Sequence, residues 1–152
     1  EERMARGLPS SPKRITVTNR ADLDAGSNFF TTGEAEKLVY TPSPRVADAR
    51  ARLGRAATIV DGGNRVRMRR LTEDLGDRGV ERLMVEGGSR LAAALLRADL
   101  VDRIAWFRAP RIIGGDGVPA AVPLLVEGGG EADHAHGDQP DAEEDLEQTA
   151  WN

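Results

Sequence analysis

The chain of 152 residues lacks cysteine altogether, has only two lysines, and has few aromatic residues, at 4% of the total. The absence of cysteine excludes disulfide bonds and thiolate catalysis, and it leaves the redox compartment undetermined. The formal net charge of −4 gives no indication of a polyanionic partner such as nucleic acid. No apolar run approaches the roughly 20 residues that span a membrane, and the first residues do not resemble a signal peptide. We therefore expect a cytoplasmic protein with neither a membrane nor a nucleic acid as its partner.

Short β-rich runs alternate with segments of helical periodicity between residues 14 and 110. The runs predict strands over residues 15–18, 37–41, 57–60, 80–85 and 103–109. The periodic segments predict helices over residues 46–53, around Met68, Leu71 and Leu75, and over residues 91–96. Parallel strands need crossovers of this length, so the pattern predicts an α/β fold with a mostly parallel central sheet flanked by helices.

The composition changes after Pro123, where the chain becomes acidic and poor in apolar residues. Such a segment cannot bury enough surface to offset the entropy lost on ordering. We predict one α/β domain over residues 1–127 and a mobile or peripherally docked acidic tail over residues 128–152, with a helical turn at residues 145–151. Asp133, His134 and His136 are metal-ligand types, but no rigid element fixes them in this tail, so no metal site is predicted.

The word VEGG occurs twice, at residues 85–88 and 126–129. The first copy follows a predicted strand and leads into a helix, with Ser89 in the position of an N-cap. Glycines there let the backbone approach a ligand, and the N–H groups and dipole of the helix favour a phosphate. Glu86 is placed at the carboxyl end of its strand, where open α/β sheets bind ligands. The second copy has no helix behind it, so we interpret it as coincidence.

The order of motifs from Asp77 onward resembles the reductase domain of bacterial riboflavin biosynthesis, the C-terminal half of the bifunctional deaminase/reductase. The matching motifs are Arg78-Gly79, Glu86-Gly87-Gly88, Leu95-Leu96, Leu100-Val101-Asp102, Ala109-Pro110 and Gly114-Gly115. Weaker likeness at Phe29-Phe30 and at residues 38–41 extends the resemblance to about residues 9–125. This order is far more specific than any one motif.

The resemblance implies a dihydrofolate-reductase-like fold, NADPH as the cofactor, and a homodimer. It also implies the reaction, a hydride transfer to the ribosyl C1′ of a pyrimidine ribosylamine 5′-phosphate or a related heterocyclic substrate. Glu86 would be the catalytic residue, in contact with ribose hydroxyls of the substrate. The residues expected to bind the cofactor are Gly87, Gly88, Ser89, Arg90 and Leu91 at the pyrophosphate, and Thr18, Asn19 and Arg20 at the adenosine half. Arg20 is the expected partner of the 2′-phosphate, because a guanidinium binds phosphate bidentately.

The sequence departs from the family at both ends. The family's first motifs, which include an SLDG-like segment and a G-x-x-T segment, have no match here, and the acidic tail replaces its final strands. Three explanations of the missing motifs remain open. The chain is a fragment, or a partner supplies the missing parts, or the chain is a truncated, non-catalytic relative that binds a nucleotide or a partner. A generic phosphosugar-binding module is a weaker alternative.

Several other residues have plainer interpretations. Trp106 and Phe107 are expected in the core or in a subunit interface. Residues 61–63 are expected to form an ordinary turn. The basic cluster of Arg65, Arg67, Arg69 and Arg70 is expected on a solvated surface.

Overall fold

The structure, a computed structural model, describes residues 2–86, 88–107, 120–121 and 148–151. The strands are β1 (Arg14–Val17), β2 (Lys37–Thr41), β3 (Thr58–Asp61), β4 (Met84–Val85) and β5 (Gln148–Trp151). The helices are α1 (Glu2–Ala5), α2 (Asn28–Thr31), α3 (Val46–Leu53), α4 (Met68–Asp77) and α5 (Ser89–Arg97), with a 3₁₀ turn at Ser43–Arg45 before α3. The predicted first three strands and all three predicted helices are present.

The strands form one sheet in the order β3-β2-β1-β5-β4. β1 pairs in parallel with β2, and β2 in parallel with β3. β5 is antiparallel to both β1 and β4, so β4 runs in the same direction as the first three strands. The predicted α/β fold with a mostly parallel sheet is confirmed.

Alternate residues of the strands point to opposite faces of the sheet and meet different helices. One face forms a cluster with the apolar stripes of α4 and α5, made of Ile15, Val17, Leu38, Tyr40, Val66, Met68, Leu71, Leu75, Leu91 and Leu95. On the other face a smaller cluster joins Phe30 of α2, Val39 of β2 and Leu53 of α3. The sheet is therefore covered by helices on both sides.

Two helices end in the same hydrogen-bonded cap. After α4, Gly79 donates to the carbonyl of Gly76 at 2.9 Å and Val80 donates to that of Leu75 at 2.9 Å, with Gly79 at a φ of +78°. After α5, Asp99 and Leu100 repeat the pattern, and Asp99 takes a φ of +54°. Both are Schellman motifs, in which a residue in the left-handed conformation lets its own N–H and that of the next residue donate to carbonyls in the last turn of the helix.

Three sequence expectations about the sheet are wrong. The strand predicted over residues 80–85 is reduced to Met84–Val85, because the N–H of Val80 is used in the cap of α4. Residues 103–107 of the predicted fifth strand are not in a strand. Gln148–Trp151, expected in a helical turn, form β5. The boundary at residue 127 and the character of the acidic tail stay predictions, since residues 122–147 lie outside the described ranges.

Candidate functional site

The carboxyl ends of β1 and β4 lie at the same edge of the sheet. Ala150 of β5 is opposite Ile15 of β1 on one side and opposite Val85 of β4 on the other. The segments that follow, 18–20 and 86–91, therefore leave the sheet at one edge. With β5 between them, β1 and β4 are about 10 Å apart at the usual spacing of strands. The structure thus brings both predicted halves of the site to this edge.

The turn after β4 depends on glycine. Glu86 follows the last residue of the strand, as predicted, and is exposed. Gly88 has a φ of +80°, a conformation that other residues rarely adopt, and its carbonyl accepts the N–H of Ala92 at 3.0 Å. Gly88, and not Ser89 as expected, is therefore the N-cap of α5, and Ser89 is the first helical residue. Gly87 lies outside the described residues.

The three residues that begin α5 differ in what they can offer a ligand. Ser89 is partly buried and Arg90 is exposed at the edge. The side chain of Leu91 is 3% exposed and belongs to the core cluster, so a ligand at this turn can meet only its backbone. The positive end of the α5 dipole points to the same place.

The turn after β1 depends on a side chain. The hydroxyl of Thr18 is buried and accepts the N–H of Arg20 at 3.2 Å and that of Ala21 at 3.0 Å. Ala21 is buried with a φ of +56°, which is uncommon for a residue with a Cβ. Asn19 is partly buried, and Arg20 is exposed. Thr18 therefore fixes the turn from inside, and Arg20 is left at the surface.

Arg20 borders a cavity of about 700 Å³ between this turn and α3, which we call the arginine cavity. Arg45, just before α3, and Arg52, within α3, also line this cavity, together with the carboxylates of Asp22 and Asp48. The Nη1 atom of Arg45 lies 3.3 Å from Oδ2 of Asp48, and the Nη1 atom of Arg52 lies 3.3 Å from Oδ1 of Asp22. The sequence interpretation identified Arg20 but missed Arg45 and Arg52. Only the fold brings α3 beside the end of β1, so no local pattern could have found them.

A second group of polar residues ties β2 to α4. The phenol of Tyr40 donates to Asp74 at 2.5 Å, and Arg78 donates to the same carboxylate oxygen at 2.7 Å. Burial and the bond to Asp74 raise the pKa of the Tyr40 phenol well above its usual value, whereas the bond from Arg78 lowers the pKa of the Asp74 carboxyl. A cavity of about 290 Å³ beside Tyr40 and Asp74 is lined by none of the predicted site residues.

The turn after β3 is held by a carboxylate. Asp61 accepts the hydroxyl of Ser43 at 2.6 Å and the N–H of Gly63 at 2.8 Å. The bond from Ser43, followed by that from Gly63, lowers the pKa of the Asp61 carboxyl. A Cβ on Gly62 would come within 2.6 Å of Val66, so this position needs glycine for space. Residues 61–63 thus end β3 and lead into a turn, as expected.

The remaining residues singled out in the sequence are mostly exposed or outside the described ranges. Trp106 is 69% exposed and Phe107 is 93% exposed, so neither packs in the core of this chain. The four arginines of the basic cluster, Arg65, Arg67, Arg69 and Arg70, are exposed as expected. The second VEGG, at residues 126–129, and the histidines of the tail lie outside the described residues. Within the described ranges, no group of three or more acidic or histidine side chains could hold a metal ion.

In the part of the chain that the structure describes, every helix is too short or too polar to cross a bilayer.

Helices on both faces of a mostly parallel sheet, with a glycine turn and a group of arginines at one edge, define an α/β domain, which is consistent with the dihydrofolate-reductase-like fold that the resemblance implies. The model of the RibD C-terminal domain family matches residues 1–131. The chain belongs to this family, which confirms the resemblance inferred from the order of its motifs.

Three relatives share the name 2,5-diamino-6-ribosylamino-4(3H)-pyrimidinone 5′-phosphate reductase. The protein of Aquifex aeolicus is 34% identical over 124 residues, covering 79% of this chain and 54% of the relative. That of Archaeoglobus fulgidus is 33% identical over 123 residues, covering 78% and 54%. That of Methanothermobacter thermautotrophicus is 45% identical over 74 residues, covering 49% and 33%. The chain spans about half the length of the first two.

Proposed function

We propose that the chain is an NADPH-dependent reductase of the riboflavin pathway. Its substrate would be a pyrimidine ribosylamine 5′-phosphate or a related heterocycle, and the reaction a hydride transfer to the ribosyl C1′. The observation that carries the proposal is the glycine turn that leads from β4 into α5. The names of the relatives support the reaction, and the arginine cavity supports a phosphorylated cofactor.

The residues at the edge of the sheet fit a dinucleotide. In the proposed complex the pyrophosphate lies against Gly87, Gly88 and the first turn of α5, where backbone N–H groups and the helix dipole favour an anion. The adenosine half lies against Thr18, Asn19 and Arg20 after β1. The fit rests on the φ of +80° at Gly88 and on the exposed guanidinium of Arg20, beside the arginine cavity.

The chain's own contribution to the reaction would be positioning. NADPH supplies the hydride when bound. Glu86, exposed at the end of β4, accepts hydrogen bonds from sugar hydroxyls and so holds C1′ near the cofactor. Orientation of two substrates in one site accounts for much of the rate of such reactions, and it needs no strong acid or base.

The proposal includes a homodimer, which the family resemblance implies, and a cytoplasmic location. Ile104, Trp106 and Phe107 are between 66% and 93% exposed, and a run of exposed apolar residues is typical of a surface that a second chain covers. Analytical ultracentrifugation gives the molecular mass in solution and tests the dimer directly.

The first test is a titration with NADPH and NADH, followed by quenching of tryptophan fluorescence, together with an assay of NADPH oxidation on the ribosylamine phosphate. We expect NADPH to bind, and Gly88→Asp to abolish binding because it adds a carboxylate beside the pyrophosphate. Gly79→Asp is the matched control, since Gly79 has nearly the same φ, of +78°, but caps α4.

The outcomes separate the alternatives. Binding lost only in Gly88→Asp, with turnover in the unaltered chain, supports the reductase. Binding without turnover favours a non-catalytic nucleotide-binding relative. A folded chain that binds neither nucleotide contradicts the proposal.

A further inference from the structure

The two halves of the proposed site follow strands that, among the described strands, are joined through a third. β5 lies between β1 and β4 and is antiparallel to both. Ala150 of β5 is opposite Ile15 of β1 on one side and opposite Val85 of β4 on the other. The distance between the turn after β1 and the turn after β4 therefore depends on whether β5 is in place.

The apolar core holds α5 on the sheet without specifying this distance. Leu91 and Leu95 of α5 belong to the same cluster as Ile15 and Val17 of β1. Contacts of this kind are non-directional and follow the area that they bury. The hydrogen bonds of a ladder are directional, and they hold neighbouring strands about 4.8 Å apart. β5 is thus the described element that sets the spacing across the site.

The ladder on both sides of β5 is short. β5 has four residues, Gln148–Trp151, and β4 has two, Met84–Val85. The net gain from one hydrogen bond of a ladder is of the same order as the entropy lost when one residue is ordered. Insertion of so short a strand is therefore close to balance, and a ligand that favours the inserted state can shift it.

We propose that insertion of β5 between β1 and β4 is coupled to the binding of a dinucleotide. The inference rests on the proposed function for the identity of the ligand. A dinucleotide that contacts both residues 18–20 and the turn at Gly88 binds fully only when the two turns are correctly spaced. Such coupling is reciprocal, so bound nucleotide stabilises the inserted strand, and a change that weakens β5 lowers the affinity for nucleotide.

The first test measures exchange of backbone amide hydrogens in the full chain by mass spectrometry, with and without NADPH. We expect NADPH to slow exchange in the C-terminal peptide that contains β5 by about fivefold or more. α1 is the internal reference, because it lies outside the sheet and most of its described residues are exposed. Its exchange should be the same in both samples.

A reversible cross-link tests the coupling from the other direction. Thr16 of β1 is opposite Thr149 of β5, at a separation of strands that a disulfide can bridge, and the chain has no cysteine of its own. The double variant Thr16→Cys with Thr149→Cys should therefore form one disulfide that holds β5 against β1. We expect the oxidised protein to bind NADPH about fivefold or more tightly than the same protein after reduction, which is the matched control.

A proline in β5 weakens the strand without a cross-link. Ala150 has a neighbouring strand on each side, so Ala150→Pro removes a backbone N–H from inside the sheet. Ala150→Ser keeps that N–H with a side chain of similar size and is the matched control. We expect Ala150→Pro to lower the affinity for NADPH by about tenfold or more and Ala150→Ser to stay within about twofold. Circular dichroism verifies that both variants fold, and the cross-linked protein decides the question if the proline variant does not.

The outcomes separate this inference from the proposed function. Exchange in β5 that NADPH does not slow, together with equal affinities of the oxidised and reduced proteins, overturns the coupling and leaves the reductase standing. Coupling of β5 to NADPH without turnover of the ribosylamine phosphate rejects the reductase alone. A folded chain that binds no nucleotide even in the oxidised form rejects both.

Discussion

The turns after β1 and after β4 lie at one edge of the sheet but are built in different ways. After β1 the buried hydroxyl of Thr18 accepts two backbone N–H groups, and Ala21 takes a positive φ despite its Cβ. After β4 the N-cap of α5 makes no side-chain hydrogen bond, and Gly88 takes a positive φ. The first turn is specified by a hydrogen bond in the interior and the second by the lack of a side chain.

The difference indicates how each turn can serve a ligand. A turn fixed from inside can place a long side chain, such as that of Arg20, at a defined point of the surface. A turn of glycine instead lets a ligand come close to the backbone itself. Substitutions at the two turns should therefore have different consequences.

Thr18→Val should have the largest effect on stability, because it leaves the N–H groups of Arg20 and Ala21 without their acceptor. We expect a loss of about 2–3 kcal/mol in the free energy of unfolding. Urea denaturation measures it. Thr18→Ser keeps the hydroxyl and should recover most of the loss, and equal stability of the valine and serine variants would contradict this account of the turn.

Gly88→Ala should destabilise the chain less but affect binding more. A Cβ at a φ of +80° costs about 1–2 kcal/mol. The Cβ would also be added to the backbone that the pyrophosphate is proposed to approach, so NADPH affinity should fall by more than the affinity lost in Thr18→Ser. Denaturation measures the free energy of unfolding, and fluorescence titration measures the affinity for NADPH. Full NADPH affinity in Gly88→Ala would show that the pyrophosphate does not come close to this backbone.

The turn after β3 is held by a side chain that titrates, the carboxylate of Asp61. Changes in this turn should have the smallest effect of the three on the stability of the chain. The bonds from Ser43 and Gly63 lower the pKa of Asp61, so they stabilise the turn fully above the pKa of the unfolded chain. That stabilisation is lost as the pH falls through the lower pKa of the folded chain.

An NMR titration of the Gly63 amide should therefore have its midpoint below about 3.9, the usual value for aspartate. Ser43→Ala should move the midpoint upward, because it removes the larger of the two causes. A midpoint that is the same in both proteins would mean that the hydroxyl of Ser43 does not act on this carboxyl.

Local patterns were sufficient for much of the fold. The β-rich runs of β1 and β2 and the spacing of Met68, Leu71 and Leu75 each predicted the observed element, because strand propensity and the burial of one helix face both leave local patterns in the sequence. The helix predicted over residues 46–53 is α3, which ends at Gly54 with a φ of +53°.

The expectations that failed depended on partners far along the chain. Residues 80–83 were predicted to continue the strand that ends at Val85, but a strand needs a neighbour, and Val80 bonds the end of α4 instead. The segment 148–151 looked like a helical turn from its composition, yet it pairs with β1 and β4. Apolar character predicts burial and does not specify which hydrogen bonds a segment makes.

The candidate site was predicted unevenly for the same reason. The motif around Glu86 and Gly88 lies on consecutive residues, so the sequence revealed it and placed it correctly at the end of a strand. Arg20, after β1, and Arg45, just before α3, are far apart in the sequence. Only the folded sheet brings the two residues to the same cavity.

The position of β5 has a consequence for the order in which the sheet can form. β1, β2 and β3 pair with near neighbours in sequence, so this half can assemble through short crossovers. Among the described strands, β4 is hydrogen-bonded to β5, whose residues are far from β1 along the chain. Contacts between such distant segments carry a high entropy of loop closure and form slowly. The half that holds Thr18 and Arg20 can thus form early, whereas the half that holds Glu86 and Gly88 joins it in the last step of folding.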